Sequence, residues 1–209
     1  MRLYGAGPSR WMRPYWILQE LGVEFEPVLV DMQHGEHRSE EFLKLNPCGK
    51  VPVLIHGDHV ITESAAMCLY LAEKFPDKGL LPQPGTPESA DHHRWVFFAV
   101  TEIEQPLWRM ARHRFLYAPE DRNPGEVKLA RREALEALKV LDKHLEGKQY
   151  VLGDRFSAAD VILGYAVVWA SWENLLRHFP NLQGYNQTLH QRPAFPDLLK
   201  KPPTPVLKG

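Results

Sequence analysis

Cysteine is scarce in this chain. Only Cys48 and Cys68 occur among 209 residues, too few for a disulfide framework, and a reducing compartment is the simpler expectation. No CxxC pair exists, which excludes a dithiol redox centre. An excess of one charge is also missing. Lys and Arg number 25 against 26 Asp and Glu, a net charge of -1, so composition forces no polyanion-binding face. The longest apolar stretch, around Val161 to Ala170, is too short and interrupted to span a bilayer. Met1 runs straight into Arg2-Leu3-Tyr4, which reads as a strand and leaves no room for a leader. A cytosolic protein is therefore expected. The ten histidines are scattered, and neither His34 with His37 nor His92 with His93 has partners at zinc spacing, so no metal is expected. The chain carries no internal repeat and no low-complexity tract.

What is present is ordinary in bulk, with 44% apolar and 24% charged residues, and is long enough for one large or two small cores. Up to about Phe75, short strand-like runs alternate with helical ones. Leu3 to Gly5 reads as a strand. A helix follows from about Arg10 to Leu21, with Tyr15, Leu18 and Leu21 at helical spacing and Gly22 as its stop. Phe25 to Val30 alternates as a strand, and Ser39 to Leu45 is a short helix closed by Asn46-Pro47. Val53 to His56 and His59 to Ile61 flank the hairpin signal Gly57-Asp58. Ser64 to Phe75 is helical. The first crossover predicts a right-handed parallel unit, and the hairpin adds an antiparallel edge. This is the order of an α/β thioredoxin-like domain.

Residues 77–87 read as a Pro- and Gly-rich linker, and everything beyond reads as helical. The expected helices are Glu88 to about Tyr117, Pro124 to about Leu145, Ala158 to Trp169, Trp172 to Phe179, and Asn181 to Gln191. The third is apolar nearly all round and is expected at the centre of its core. It opens on Ser157-Ala158-Ala159-Asp160, a capping-box pattern with a structural role. The tail after Phe195 reads as irregular. The division is thus 1–76 for the α/β domain, 77–87 for the linker and 88–209 for an all-helical domain.

Four constellations can carry chemistry, each with an ordinary structural reading beside it. Val51-Pro52 before a strand is either a simple turn or a cis bond that leaves the Val51 N–H and C=O open to an extended peptide, like an added strand. Ser64 is a helix cap by default. With Glu63 beside it, the same helix start suits a carboxylate and an ammonium together, the head group of an α-amino acid. His37 and Arg38, in a polar loop, with Lys50 downstream, either form a solvated face or bracket a second carboxylate. Ser9 after Gly7-Pro8 is a cap, or a hydroxyl that donates to a ligand thiolate at a helix start. A free thiol ionises near 8.5, and such surroundings lower that value and raise the reactive fraction.

Taken together, these pieces resemble the soluble glutathione transferase family over essentially the whole chain. The stretch GEHRSEEFLKLNPCGKVP, from Gly35 to Pro52, is most similar to the phi and theta branches and their bacterial relatives, and NPCGKVPVL followed by Glu63-Ser64 in this order is specific. The resemblance implies a glutathione transferase fold, with a glutathione-binding α/β domain and a helical domain lining the electrophile site. It implies glutathione as co-substrate, with Ser9 as the thiolate donor and Tyr4 as its rival, since tyrosine-type members place their phenol there. Val51 with a cis Pro52 would pair with the cysteinyl part. Glu63 and Ser64 would hold the γ-glutamyl end, and His37, Arg38 and Lys50 would face the glycyl end. A homodimer with a detoxifying role is implied as well. An electrophile pocket is expected between the halves, with Trp11, Trp108, Arg112 and Phe115 as lining. Arg109, Arg112, His113 and Arg114 form a basic cluster that either favours an anionic electrophile or is a solvated face. The expected activity is attack of the activated thiol on an electrophilic, hydrophobic substrate. The alternatives are a glutathione-dependent isomerase, dehalogenase or peroxidase, and a transferase-like interaction module without catalysis.

Overall fold

The computed structural model describes residues 1–202. The described residues divide into two compact units, residues 1–81 with 192–202, and Pro82–Gln191.

The first unit holds a mixed four-stranded sheet in the order β2-β1-β3-β4. The strands are β1 (Arg2–Gly5), β2 (Glu26–Leu29), β3 (Val53–His56) and β4 (His59–Ile61). β1 runs parallel to β2 and antiparallel to β3, and β3 to β4 is antiparallel, as the crossover and hairpin signals predict. The helices are α1 (Met12–Leu21), α2 (Glu40–Leu45) and α3 (Ser64–Lys74). α1 ends where Gly22 turns left-handed at φ 65, a conformation that glycine takes without steric cost. Its buried face, which includes Trp16, Ile17 and Leu18, packs against α3, where Met67, Cys68 and Leu71 are also buried. This is the thioredoxin-like arrangement.

Residues 192–202 group with the first unit. Arg192 Nε donates to Glu20 Oε1 at 2.7 Å and Nη2 to Glu20 Oε2 at 2.8 Å. The Phe195 ring packs edge-on against Trp16, with centroids 5.0 Å apart. A bidentate ion pair and an aromatic anchor thus tie this stretch to α1. Part of the tail expected to be irregular, residues 203–209, lies outside the described residues.

In the second unit the long helix expected from Glu88 is α4 (Pro87–Phe98) and α5 (Glu104–Ala111), with π-helical turns at Ala99–Ile103 and Arg112–Leu116. Thr86 caps α4, its side chain accepting from the Ser89 N–H. α6 (Pro124–His144), α7 (Ala158–Trp172) and α8 (Pro180–His190) follow. The helix expected over Trp172 to Phe179 is absent. α7 continues to Trp172, Asn174 then turns to φ 54, and only a 3-10 turn at Leu176–His178 precedes Pro180, which opens α8. α7 is the buried centre of this unit: every residue from Ala158 to Val168 is buried.

The Ser157–Asp160 capping box at the start of α7 forms. The Asp160 carboxylate collects four donors, from Val151 N, Ser157 N, Ser157 Oγ and the Tyr185 hydroxyl. Burial pushes its carboxyl up to about 6, and the hydrogen bonds act in the opposite direction. His92 adds a further cap, with Nε2 accepting the Ala159 N–H at 3.2 Å. Burial lowers the His92 pKa to about 4, so the imidazole is neutral and able to accept.

Candidate functional site

The candidate residues of the first unit gather at three places set by its backbone. The first is the turn between β1 and α1. Gly7 sits at φ 48, and the Trp11 indole N–H donates to the Gly7 carbonyl. The Trp11 ring lies on Gly5 so closely that a Cβ there would stand 2.0 Å from it. Trp11 is only 2% exposed and shapes this turn. α1 begins after Trp11 with no side-chain cap bond, so Ser9 is not the helix cap. Its Oγ is buried and has no hydrogen-bond partner among the described residues. The rival Tyr4 packs on the cluster of Val30, Phe42, Val53 and Ile55, edge-on to Phe42 at 6.4 Å.

The second place is the loop from Asn46 to Pro52. Asn46 is buried and organises it: Nδ2 donates to the Lys50 carbonyl at 2.7 Å, and Oδ1 accepts the Cys48 N–H at 3.1 Å. The Val51-Pro52 bond is cis. Among the described residues the Val51 N–H and C=O make no hydrogen bond within the chain. Gly49 has φ 58, and a Cβ on it would come within 2.9 Å of both Arg38 Nη1 and the His37 carbonyl. Glycine is therefore required for the close approach that brings His37 and Arg38 to the Gly49-Lys50 turn. Arg38 and Lys50 are exposed, and His37 Nδ1 is buried without a partner.

The third place is the start of α3. Glu63 occupies the N-cap position at φ 67 and ψ 107, and no side chain caps the helix. A non-glycine residue at such φ costs about 1–3 kcal/mol and persists where the surroundings demand it. The Glu63 side chain is exposed and pairs with no described residue. Ser64 is 5% exposed and accepts a hydrogen bond from Arg13 Nη1 at 3.3 Å. Free N–H groups, a hydroxyl and a carboxylate thus stand together, which suits an α-amino acid head group.

In the second unit Trp108 faces Trp169 edge-on at 6.5 Å, and Phe115 is 60% exposed. Arg112 lies over the Tyr117 ring and lines a cavity of about 460 Å³ with Phe98, Arg109 and Val140. The basic cluster is largely neutralised internally. Arg109 pairs with Glu126 and Glu133, and Arg114 with Glu173, while His113 Nδ1 accepts the Asn123 N–H.

Sequence reasoning missed Arg13 and the clamp made by Asn46. Arg13 carries a signal, a lone cation on the apolar stripe of α1 one turn before Trp16 and Ile17. Asn46 was read only as a helix terminator, although an asparagine bonding backbone two residues on is a recognisable turn.

Comparison with known proteins agrees with this architecture. Residues 1–73 match the family model of the glutathione S-transferase N-terminal domain, and residues 106–198 match that of the C-terminal domain. Glutathione S-transferase 1 of Dianthus caryophyllus is 38% identical over 151 residues, 70% of this chain and 66% of that relative. Glutathione S-transferase Z2 of Arabidopsis thaliana is 32% identical over 197 residues, 88% of this chain and 84% of that relative. A sphingomonad glutathione S-transferase solved in complex with glutathione superposes with a TM-score of 0.81 at 28% identity, over 96% of this chain and 98% of that one. The chain belongs to the glutathione S-transferase family.

Proposed function

We propose that the chain binds glutathione along its first unit and activates the thiol through Ser9. The observation that carries this reading is the Ser9 hydroxyl, buried and without a partner at the turn into α1. A buried hydroxyl left unsatisfied costs about 1–3 kcal/mol, so a sulfur anion placed there satisfies a group that the protein alone does not. Ser9 is taken over Tyr4 because the Tyr4 ring is committed to the Phe42 cluster. The cysteinyl backbone pairs with the open N–H and C=O of Val51. The γ-glutamyl carboxylate lies at Ser64 and the α3 amides, with Glu63 taking its ammonium. The glycyl carboxylate faces His37, Arg38 and Lys50.

The ionised sulfur attacks an electrophilic carbon, forming the C–S bond as a leaving group departs with its electron pair or as a π bond accepts it. Arg112 is the cation best suited to an anionic electrophile, because Arg109 and Arg114 are already paired with glutamates. The protein works as a cytosolic homodimer. The exposed apolar side chains Phe97 and Val140, on α4 and α6, suit a second copy, and two unbridged cysteines suit a reducing compartment. Calorimetric titration with glutathione, followed by turnover with a panel of electrophiles, tests the reading. Saturable binding with turnover supports it, and an absence of binding overturns it.

A further inference from the structure

We infer that Arg13 is a positioning residue for glutathione: from beneath α3 it fixes the Ser64 hydroxyl so that its one proton faces the ligand, and it adds positive potential to the carboxylate subsite. The inference rests on the reading that Ser64 receives the γ-glutamyl carboxylate.

Arg13 lies on the buried face of α1 and is 1% exposed. A guanidinium has only donors, so the 3.3 Å contact from Nη1 makes Ser64 Oγ the acceptor. The Ser64 hydrogen is not spent elsewhere. Ser64 is the first residue of α3 and not its cap, and its Oγ donates to none of the described residues. That hydrogen is left for a ligand acceptor, and the Arg13 contact sets its direction.

The charge placement points the same way. Cys68, one turn along α3 from Ser64, is fully buried. Burial pushes its thiol up to about 12, and the Arg13 charge acts against that rise. The guanidinium therefore lies along the first turn of α3. A helix N-terminus already carries a partial positive charge, about half an elementary unit. A guanidinium beside it adds to the positive potential that an arriving carboxylate meets.

The test compares glutathione with an analogue lacking the α-carboxylate of its γ-glutamyl group, γ-aminobutyryl-cysteinyl-glycine, in the full-length protein. Arg13→Met should weaken glutathione binding about tenfold, as expected for a lost hydrogen bond to a charged group. Turnover at saturating glutathione should stay within roughly twofold. The preference for glutathione over the analogue should shrink by the same factor as the affinity. Arg13→Lys should recover part of that preference, and it carries the test if Arg13→Met folds poorly. The preference is a ratio, so loss of folded protein does not change it. Ser64→Ala should shrink the preference too, and Arg13→Met in the Ser64→Ala background should shrink it further by less than it does in the presence of Ser64, since only the contribution of the Arg13 charge is then left to lose. An unchanged preference in both Arg13 variants, with Ser64→Ala still reducing it, overturns the role of Arg13 alone. An unchanged preference in Ser64→Ala overturns the site reading and the inference with it.

Discussion

Replacing Ser9 by alanine separates stability from chemistry at one atom. Its Oγ is buried and makes no hydrogen bond to any of the described residues. Deleting it leaves no partner stranded and removes an unsatisfied hydroxyl, so Ser9→Ala should hold or raise folding stability, by up to about 1 kcal/mol. The thiol of bound glutathione should respond in the opposite sense. A hydrogen bond to a charged group contributes about 1.5–3 kcal/mol, net, and each pKa unit corresponds to about 1.4 kcal/mol. The bound thiol should therefore titrate roughly 1–2 units higher in the variant. Near neutral pH this lowers the thiolate population, and with it turnover, by about tenfold. Affinity for glutathione should change little, because both charged ends of the tripeptide keep their partners. Ultraviolet titration of the bound thiolate measures the shift, and denaturant unfolding of the free protein measures stability. An unchanged thiolate titration in Ser9→Ala, with a raised one in Tyr4→Phe, would refute the assignment and move the donor to Tyr4.

Four further outcomes are expected. Asp160→Ala strands the buried N–H groups of Val151 and Ser157 and the Tyr185 hydroxyl, and thermal melting should show a loss of about 3–5 kcal/mol. Glu63→Gly relieves the φ of 67, so unfolding free energy should rise by about 1 kcal/mol while glutathione affinity falls. Arg192→Ala leaves the Glu20 carboxylate to the Trp16 N–H alone among the side-chain bonds described, and should cost about 2 kcal/mol by chemical denaturation. His92 should stay neutral well below the ordinary 6.5 and titrate at about 4 when its ring is followed by NMR. Because its folded pKa is lowered, its contribution to stability is complete above about 6.5 and is lost as pH falls toward 4. Asp160, raised from 3.8 to about 6, runs the other way and becomes more favourable to folding as pH falls through that window. In His92→Gln the acid-side loss should disappear.

Local patterns in the chain were readable wherever the cause was local. The Gly57-Asp58 turn fixed both strands of the hairpin, observed as Val53–His56 and His59–Ile61. The Ser157-to-Asp160 spacing gave the start of α7, and its unbroken apolar run gave its burial. Boundaries failed where a distant partner decided them. Nothing near residue 192 announces that Arg192 joins Glu20, a pairing across 172 positions. Trp172 to Phe179 has helical composition, yet Asn174 at positive φ breaks it. The π-helical turns around α5 leave no mark in hydrophobic spacing. At the candidate site, motif order singles out Ser9, Val51, Glu63 and Ser64 as candidates. Arg13 was not legible, because its partner Ser64 lies 51 residues away and only the fold brings a charge beneath an apolar stripe. The packing of Trp11 on Gly5 was not legible either, because it depends on how β1 and the turn into α1 meet.

A crystal structure of the protein soaked with glutathione tests the central claim most directly. The sulfur should lie within hydrogen-bond reach of Ser9 Oγ, with the γ-glutamyl carboxylate at Ser64 and the cysteinyl backbone on Val51. A sulfur bound at the Tyr4 hydroxyl, or a tripeptide lying away from these three places, would contradict it.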